Sequence, residues 1–446
     1  MSILSQLSFH QQIILTLTTI ITAILGIYAL NWSLLTILSL RSRGRNRDPP
    51  PPDEWPEVTI HIPLFNESMV AGRLINSCLR MDYPKEKLKI IIVDDSDDET
   101  TEIARRFERD YPENVRLIHR GSRVGFKAGA LQEALKNTTS DYIMIFDADY
   151  VPPPDLIKRL IPHIYHREDV AFVQTRLTYL NQRQSWVTKS LSLAIDGYGM
   201  VDQRARYSSG LLAHFSGTGG LFRRSAIEEV GGWASDTLTE DLDLSIRLQL
   251  KGWRYIYLPD LTCPGEIPPT FKLLWRQQYR WAKGFAQCFR KYWRQIISSP
   301  DLSIFKKFEA FMLLSTYFVC PISVLGLALI PIYFTLIPAS FLMKDYWQTI
   351  FAPVASGFSA AIYIAPLLLY GTTLTELAKN DVRDYGRLKD ILGLSILGLG
   401  TLIPNSKATF EGLLLRTSTF QRTTKYGIVD EGFRLLSGTI RNRWLT

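Results

Sequence analysis

A chain of 446 residues with 46% hydrophobic residues, a formal net charge of +8 and a mean hydropathy of +0.01 is too apolar for a disordered tail and too polar to lie wholly in lipid. One large folded domain combined with membrane helices is expected. The positive charge does not point to a nucleic-acid partner, because no binding motif accompanies it and the densest basic run (Arg41, Arg43, Arg45, Arg47) follows an apolar segment, where the positive-inside bias puts it.

In chain order, Ile13 to Leu40 carries no charged residue and exceeds the roughly 20 residues a spanning helix needs. A cleaved signal peptide is the alternative, against which stand the length of the run, its lack of a basic leader and the arginines where a cleavage site would lie. Residues 1–48 read as an anchor and 49–57, with the run Pro49 to Pro52, as an extended linker. From Val58 the pattern turns to short β-branched runs between helical stretches, so an α/β domain with a mostly parallel sheet is expected over 58–265. Its clearest strands are Val58–Ile62, Leu88–Val93, Tyr142–Phe146 and Val170–Gln174, and its helices Ser68–Met81, Thr100–Asp110 and Lys127–Lys136.

Residues 266–304 interleave aromatic and basic side chains, as interfacial helices do. Spans are expected at Phe308–Ile337 and Trp347–Leu374 within 305–412, and the shorter apolar stretch Ile391–Ile403 reads as re-entrant or interfacial. Residues 413–446 form a tail. Cys78, Cys263, Cys288 and Cys320 lack metal-ligand spacing and read as reduced, buried thiols, which suits a cytosolic catalytic face.

Four clusters carry the chemistry, and together they match the needs of glycosyl transfer from a nucleotide sugar. Asp94-Asp95 ends an Ile-Ile-Ile-Val strand, the edge at which open α/β sheets bind ligands, and one of the pair is expected to accept hydrogen bonds from nucleobase and ribose. The same acidic turn also suits a solvated loop that caps the next helix. Lys127 offers a positive charge near the nucleotide. Asp147 and Asp149, after a buried strand, would hold a divalent cation, Mg2+ or Mn2+, against the departing diphosphate; alone, Asp-x-Asp is often just a helix cap.

Asp241 in Thr239-Glu240-Asp241 is the candidate general base, with Thr239 expected to cap the following helix and both Thr239 and Glu240 expected beside the acceptor. Gln277, Arg280 and Trp281 supply a polar contact, a cation for the diphosphate and a flat apolar face for a sugar ring.

With these residues quoted, the chain resembles a family 2 glycosyltransferase of the cellulose synthase superfamily, most of all its cellulose synthase-like A branch of β-mannan and glucomannan synthases. The resemblance runs from Val58 to about Lys425 and includes His61 to Glu67, Lys127 to Leu131, Ser216 to Gly220, Lys251 to Arg254 and Ser406 to Phe410. It implies a GT-A fold, inversion at the anomeric carbon, Mg2+ or Mn2+, a donor such as UDP-glucose or GDP-mannose, and a β-1,4-linked glycan extruded through the same chain. It also implies an integral protein of the cell membrane, in contact with membrane lipids, with its catalytic domain cytosolic.

Phe420 to Lys425 resembles the gating loop of cellulose synthases, with an arginine in place of a valine, and through it Thr423 and Lys425 are expected to reach phosphate oxygens. No cyclic-dinucleotide-binding appendage is expected after Thr446. A single-transfer enzyme acting on diacylglycerol or ceramide would use the same clusters and is the alternative; an inactive glycan-binding export component is a third, which the intact set of clusters disfavours.

Overall fold

The computed structural model describes residues 8–42, 48–337, 352–379, 388–414 and 425–430. Helix α1 (Phe9–Arg41) starts at a capping box in which Ser8 Oγ accepts from Gln11 N while Gln11 Oε1 accepts from Ser8 N at 2.8 Å. Strands β1 (Val58–Leu64), β2 (Leu88–Asp94), β3 (Val115–His119), β4 (Tyr142–Ile145), β5 (Val170–Tyr179), β6 (Gly220–Arg223) and β7 (Arg254–Gly265) form one sheet in the order β3-β2-β1-β4-β6-β5-β7. All neighbours are parallel except β6, which runs antiparallel to both β4 and β5. Helices α2 (Ala71–Leu79), α3 (Thr100–Asp110), α4 (Phe126–Lys136) and α5 (Leu156–Tyr165) cover the sheet, so β1, β2 and β4 are buried on both faces and can be nearly continuous Val/Ile runs.

Register fixes the geometry that matters. Val58 pairs with both Leu88 and Tyr142, and Leu64 with Asp94, so the acidic residues after β2 and β4 emerge at the same carboxyl edge, on either side of β1.

The expected strands and helices are present, with ends moved by a few residues. The sequence reading lacked β3, β6 and β7. Helices α6 (Trp186–Gly197), α7 (Arg204–Ser208), α8 (Arg224–Glu229) and α9 (Glu240–Leu250) complete the domain.

One 28-residue helix, α10 (Phe271–Ser298), replaces the expected set of interfacial helices. The expected kinked span Phe308–Ile337 is two helices, α11 (Ile304–Leu314) and α12 (Val319–Leu336), separated at Ser315, which accepts from Tyr28 of α1 at 2.7 Å. The next span is α13 (Ala352–Lys379); Trp347 lies outside the described residues. The stretch expected to be short and re-entrant belongs to a single 27-residue helix, α14 (Leu388–Leu414).

Among the described residues four helices are long and apolar enough to cross a membrane: Phe9–Arg41, Thr316–Leu336, Gly357–Lys379 and Lys389–Leu414. The last also lies along the catalytic side, with Gly393 against Ser190 of α6 and Gly400 against Phe271 of α10. Near its end Glu411 pairs with Lys283 at 3.0 Å. All four cysteines are free and buried, as expected.

Candidate active site

One cavity of about 630 Å³ opens at the carboxyl edge of the sheet and runs on between α1, α6, α10, α12 and α13. Asp95, Lys127, Asp147, Asp149, Thr239, Glu240, Asp241, Gln277, Arg280, Trp281 and Lys425 all line it. Asp94 does not. Its carboxylate is fully buried and accepts from Ser96 N at 3.1 Å, Thr101 Oγ1 at 2.6 Å and His119 Nδ1 at 2.9 Å, so it braces the turn after β2. Asp95 faces the cavity, held in a two-pronged pair by Arg120 with Nε at 2.6 Å from Oδ1. Thr423 lies outside the described residues.

Lys127, in the first turn of α4, is the hub of the centre. Its Nζ lies 2.7 Å from Asp147 Oδ1 and 3.5 Å from Glu240 Oε1, and it donates to Gly217 O at 2.8 Å. Burial would lower its pKa, but Asp147, Glu240 and Asp241 carry it above the ordinary lysine value, so it stays charged. The turn it grips, Ser216 to Gly219, connects to β6, and Gln174 holds that turn by donating to Thr218 O at 3.1 Å and accepting from Ser216 N at 3.0 Å. Thr218 Oγ1 in turn accepts from Asp147 N at 3.0 Å. Gly217 is left-handed, with φ +82, and a Cβ there would lie 2.9 Å from Asp241 Oδ2; only glycine lets this backbone meet the carboxylate.

Asp241 sits in the first turn of α9, where its Oδ1 accepts from Leu242 N at 2.8 Å. Thr239 is the N-cap residue by position but makes no side-chain cap, contrary to expectation; it is buried, and its Oγ1 lies 3.5 Å from Cys288 Sγ. Burial raises the pKa of both Glu240 and Asp241, and the charges of Lys127 and Arg280 pull against it. Three hydrogen bonds tie α10 to this turn. Asp243 accepts from Lys291 at 2.6 Å and Tyr292 at 2.7 Å, and Gln287 Oε1 accepts from Leu238 N at 2.9 Å. Gly284 admits Thr239 where a Cβ would be 2.7 Å from its Oγ1. In this way α10 presents Gln277, Arg280 and Trp281 to the cavity, and the Gln277 Oε1 has no hydrogen-bond partner among the described residues.

The sequence reading missed Arg73 and Glu266. Arg73 lies 2.7 Å from Glu266 Oε1 and donates to Asp149 O at 3.2 Å. Asp149 Oδ2 lies 2.5 Å from Lys425 Nζ. Among the described residues no three His, Cys, Asp or Glu side chains gather to hold an ion. Asp147 and Asp149 offer carboxylate oxygens, the donor type a hard cation takes, and such a cation would draw its remaining ligands from phosphate and water.

Residues 56–284, half of the chain, match the family described as "Glycosyltransferase like family 2". The chain is a family 2 glycosyltransferase. The glycosyltransferase is 36% identical over 315 residues to the probable glucomannan 4-beta-mannosyltransferase 1 of Arabidopsis thaliana, covering 68% of this chain and 56% of that protein. It is 34% identical over 336 residues to the glucomannan 4-beta-mannosyltransferase 1 of Oryza sativa subsp. japonica, covering 71% and 64%. The chain thus spans little more than half of the length of these curated relatives. A mannosyltransferase from Pyrobaculum calidifontis, solved with GDP-Man and Mn2+, superposes with a TM-score of 0.57 at 21% identity over 90% of this chain and 100% of that one, which establishes the shared GT-A fold.

Proposed function

We propose that the glycosyltransferase elongates a β-1,4-linked mannan or glucomannan from a nucleotide-diphospho sugar, by a single inverting displacement at the membrane surface. The observation that carries this reading is the convergence of Asp147, Asp149, Asp241 and Trp281 on one cavity, although they lie far apart along the chain. The names of the relatives support it.

In the proposed reaction the acceptor hydroxyl attacks the anomeric carbon, the bond from that carbon to the diphosphate oxygen breaks with its electron pair staying on the diphosphate, and Asp241 takes the hydroxyl proton. Burial strengthens Asp241 as a base, while the charges of Lys127 and Arg280 oppose part of that rise. Asp147 and Asp149 would hold Mg2+ or Mn2+, which would neutralise charge developing on the leaving diphosphate. Trp281 would stack the terminal acceptor sugar, and Gln277 Oε1 would accept from one of its hydroxyls. The nucleoside would lie toward Asp95 at the β1–β2 edge.

The test incubates purified full chain with GDP-mannose, UDP-glucose or UDP-N-acetylglucosamine plus Mn2+ or Mg2+ and weighs the products. A mannose-containing ladder or insoluble polymer is expected from GDP-mannose. A single glycolipid would replace this reading with the second one, which the apolar wall of the cavity at Leu191, Ile195, Met312 and Val319 favours, because an acyl chain would fit there. Absence of donor turnover would sink both.

A further inference from the structure

The two carboxylates proposed to hold the cation each face a lysine, and the lysines differ in kind. Lys127 is fixed inside the domain by Gly217 O and Glu240 as well as by Asp147. Lys425 reaches in from a strap, residues 425–430, that returns to the domain after α14. Its Nζ lies 2.5 Å from Asp149 Oδ2 and 3.3 Å from Glu266 O, and the pair is largely shielded from solvent.

The strap is docked by a defined set of contacts. Glu266 Oε2 accepts from Tyr426 N and Gly427 N, each at 3.2 Å, Asp430 N donates to Leu180 O at 2.6 Å, and Arg183 N donates to Asp430 Oδ2 at 2.5 Å. Gly427, at φ +70, turns the strap where a Cβ would lie 3.0 Å from Met69 O. Glu266 is itself fixed by Arg73, which also donates to the Asp149 carbonyl.

An ammonium group and a divalent cation compete for the same carboxylate oxygen. Asp149 already faces Lys425, Glu266 faces Arg73, and Asp147 faces Lys127, which Glu240 shares, so a bare divalent cation brings charge in excess beside cations already in place and must displace the Lys425 ammonium within a shielded site. A cation arriving with a diphosphate adds no such excess, and the displaced ammonium then has phosphate oxygens to meet.

We propose, resting on the cation-site reading above, that Lys425 is a counter-charge that keeps a divalent cation off Asp149 until a nucleoside diphosphate comes with it, and that Glu266 with Arg73 are the positioning residues that hold it there. Cation and nucleotide then bind cooperatively, and Lys425 passes from Asp149 to the diphosphate. If the lysine holds Asp149 nine-tenths of the time, the affinity for the cation alone falls about tenfold.

The experiment titrates Mn2+ by electron paramagnetic resonance or calorimetry into full-length wild type, Lys425→Met, Lys425→Arg and Asp149→Asn, without nucleotide and with GDP or UDP. Lys425→Met is expected to bind Mn2+ alone about tenfold more tightly than wild type and to lose most of the gain that the diphosphate gives. Lys425→Arg, which keeps the charge, is expected to stay close to wild type. Equal Mn2+ affinity of wild type and Lys425→Met without nucleotide, in proteins with the same melting temperature, would overturn the proposal while leaving the cation site intact. If Asp149→Asn binds Mn2+ with diphosphate as well as wild type does, the cation-site reading itself is wrong and the role of Lys425 goes with it.

Discussion

Asp241 and Asp94 were both legible in the sequence as acidic residues in plausible places, and the structure separates them. Asp241 meets Gly217, Lys127 and the cavity, whereas Asp94 spends both oxygens on neighbouring groups. Asp241→Asn keeps the shape and removes the proposed base, so transfer is expected to fall by about 10²- to 10⁴-fold while donor binding stays near wild type. Nucleotide diphosphate release beside an equilibrium binding measurement checks both halves. The same residue sets a pH dependence. Burial raises the pKa of its carboxyl, and the proposed base must be ionised, so kcat/KM is expected to fall with acid through a pKa above the usual carboxylate range. A pH–rate profile whose acid limb sits at ordinary carboxylate values would contradict this. Glu266 and Arg73 could not be found in the same way. Their partners lie 193 residues apart in the case of this pair, and 160 from Glu266 to Tyr426, so no local spacing announces them.

At the level of elements, β1, β2 and β4 were readable because strands covered on both faces tend to be short, mostly apolar runs, and the acidic residues after β2 and β4 stood out at their ends. Strand β6 was not readable, since its four residues, Gly-Leu-Phe-Arg, take their strand geometry from β4 and β5 on either side. Strand β7 contains two prolines and a bulge against β5, which hides its alternation. Helix α10 carried its motif plainly, but its closeness to α9 did not show. That closeness rests on Gly284: Gly284→Val would push α10 off Thr239 and is expected to cost about 1–3 kcal/mol of stability and to reduce acceptor-dependent transfer more than donor hydrolysis. Thermal melting and the ratio of the two activities are the measurements. Retention of both at wild-type level would mean that the contact does not position Trp281.

For the whole molecule, sidedness can be argued by parity. The strap bearing Lys425 docks at Asp149, so an even number of complete crossings must lie between the domain and the strap. Helices α12 and α13 would supply two, and α14, which rests along α6 and α10, would lie in the interface although it is long enough to cross. Single cysteines introduced by Lys136→Cys and Tyr426→Cys are therefore expected to react with an impermeant maleimide from the same face of sealed vesicles. Labelling from opposite faces would refute the arrangement.

The domain also has a predictable acid weakness. His61 and His214 are buried without charge, with pKa values lowered by desolvation to about 3 and about 4. The unfolded chain takes up these protons near 6.5, so stability is complete above that value and is lost as pH falls toward 4, by on the order of 3 kcal/mol for His214. Melting temperatures of wild type and His214→Gln from pH 7 to pH 4 should converge; parallel curves would argue otherwise.

Helix α1 closes its packing with partners made much later. Tyr28 reaches Ser315, and Gly26 is the bare spot that receives the Phe358 ring, so roughly 330 residues must leave the ribosome after Gly26 before the contact exists, which takes tens of seconds at about 5–20 residues per second. During that interval the first helix has lipid or a chaperone for company, and the catalytic domain, whose strands are all complete by Gly265, has time to fold before the bundle shuts. A premature stop after α11 would therefore be expected to leave a well-formed sheet tethered to an unmated helix that is open to the wrong partner in the bilayer.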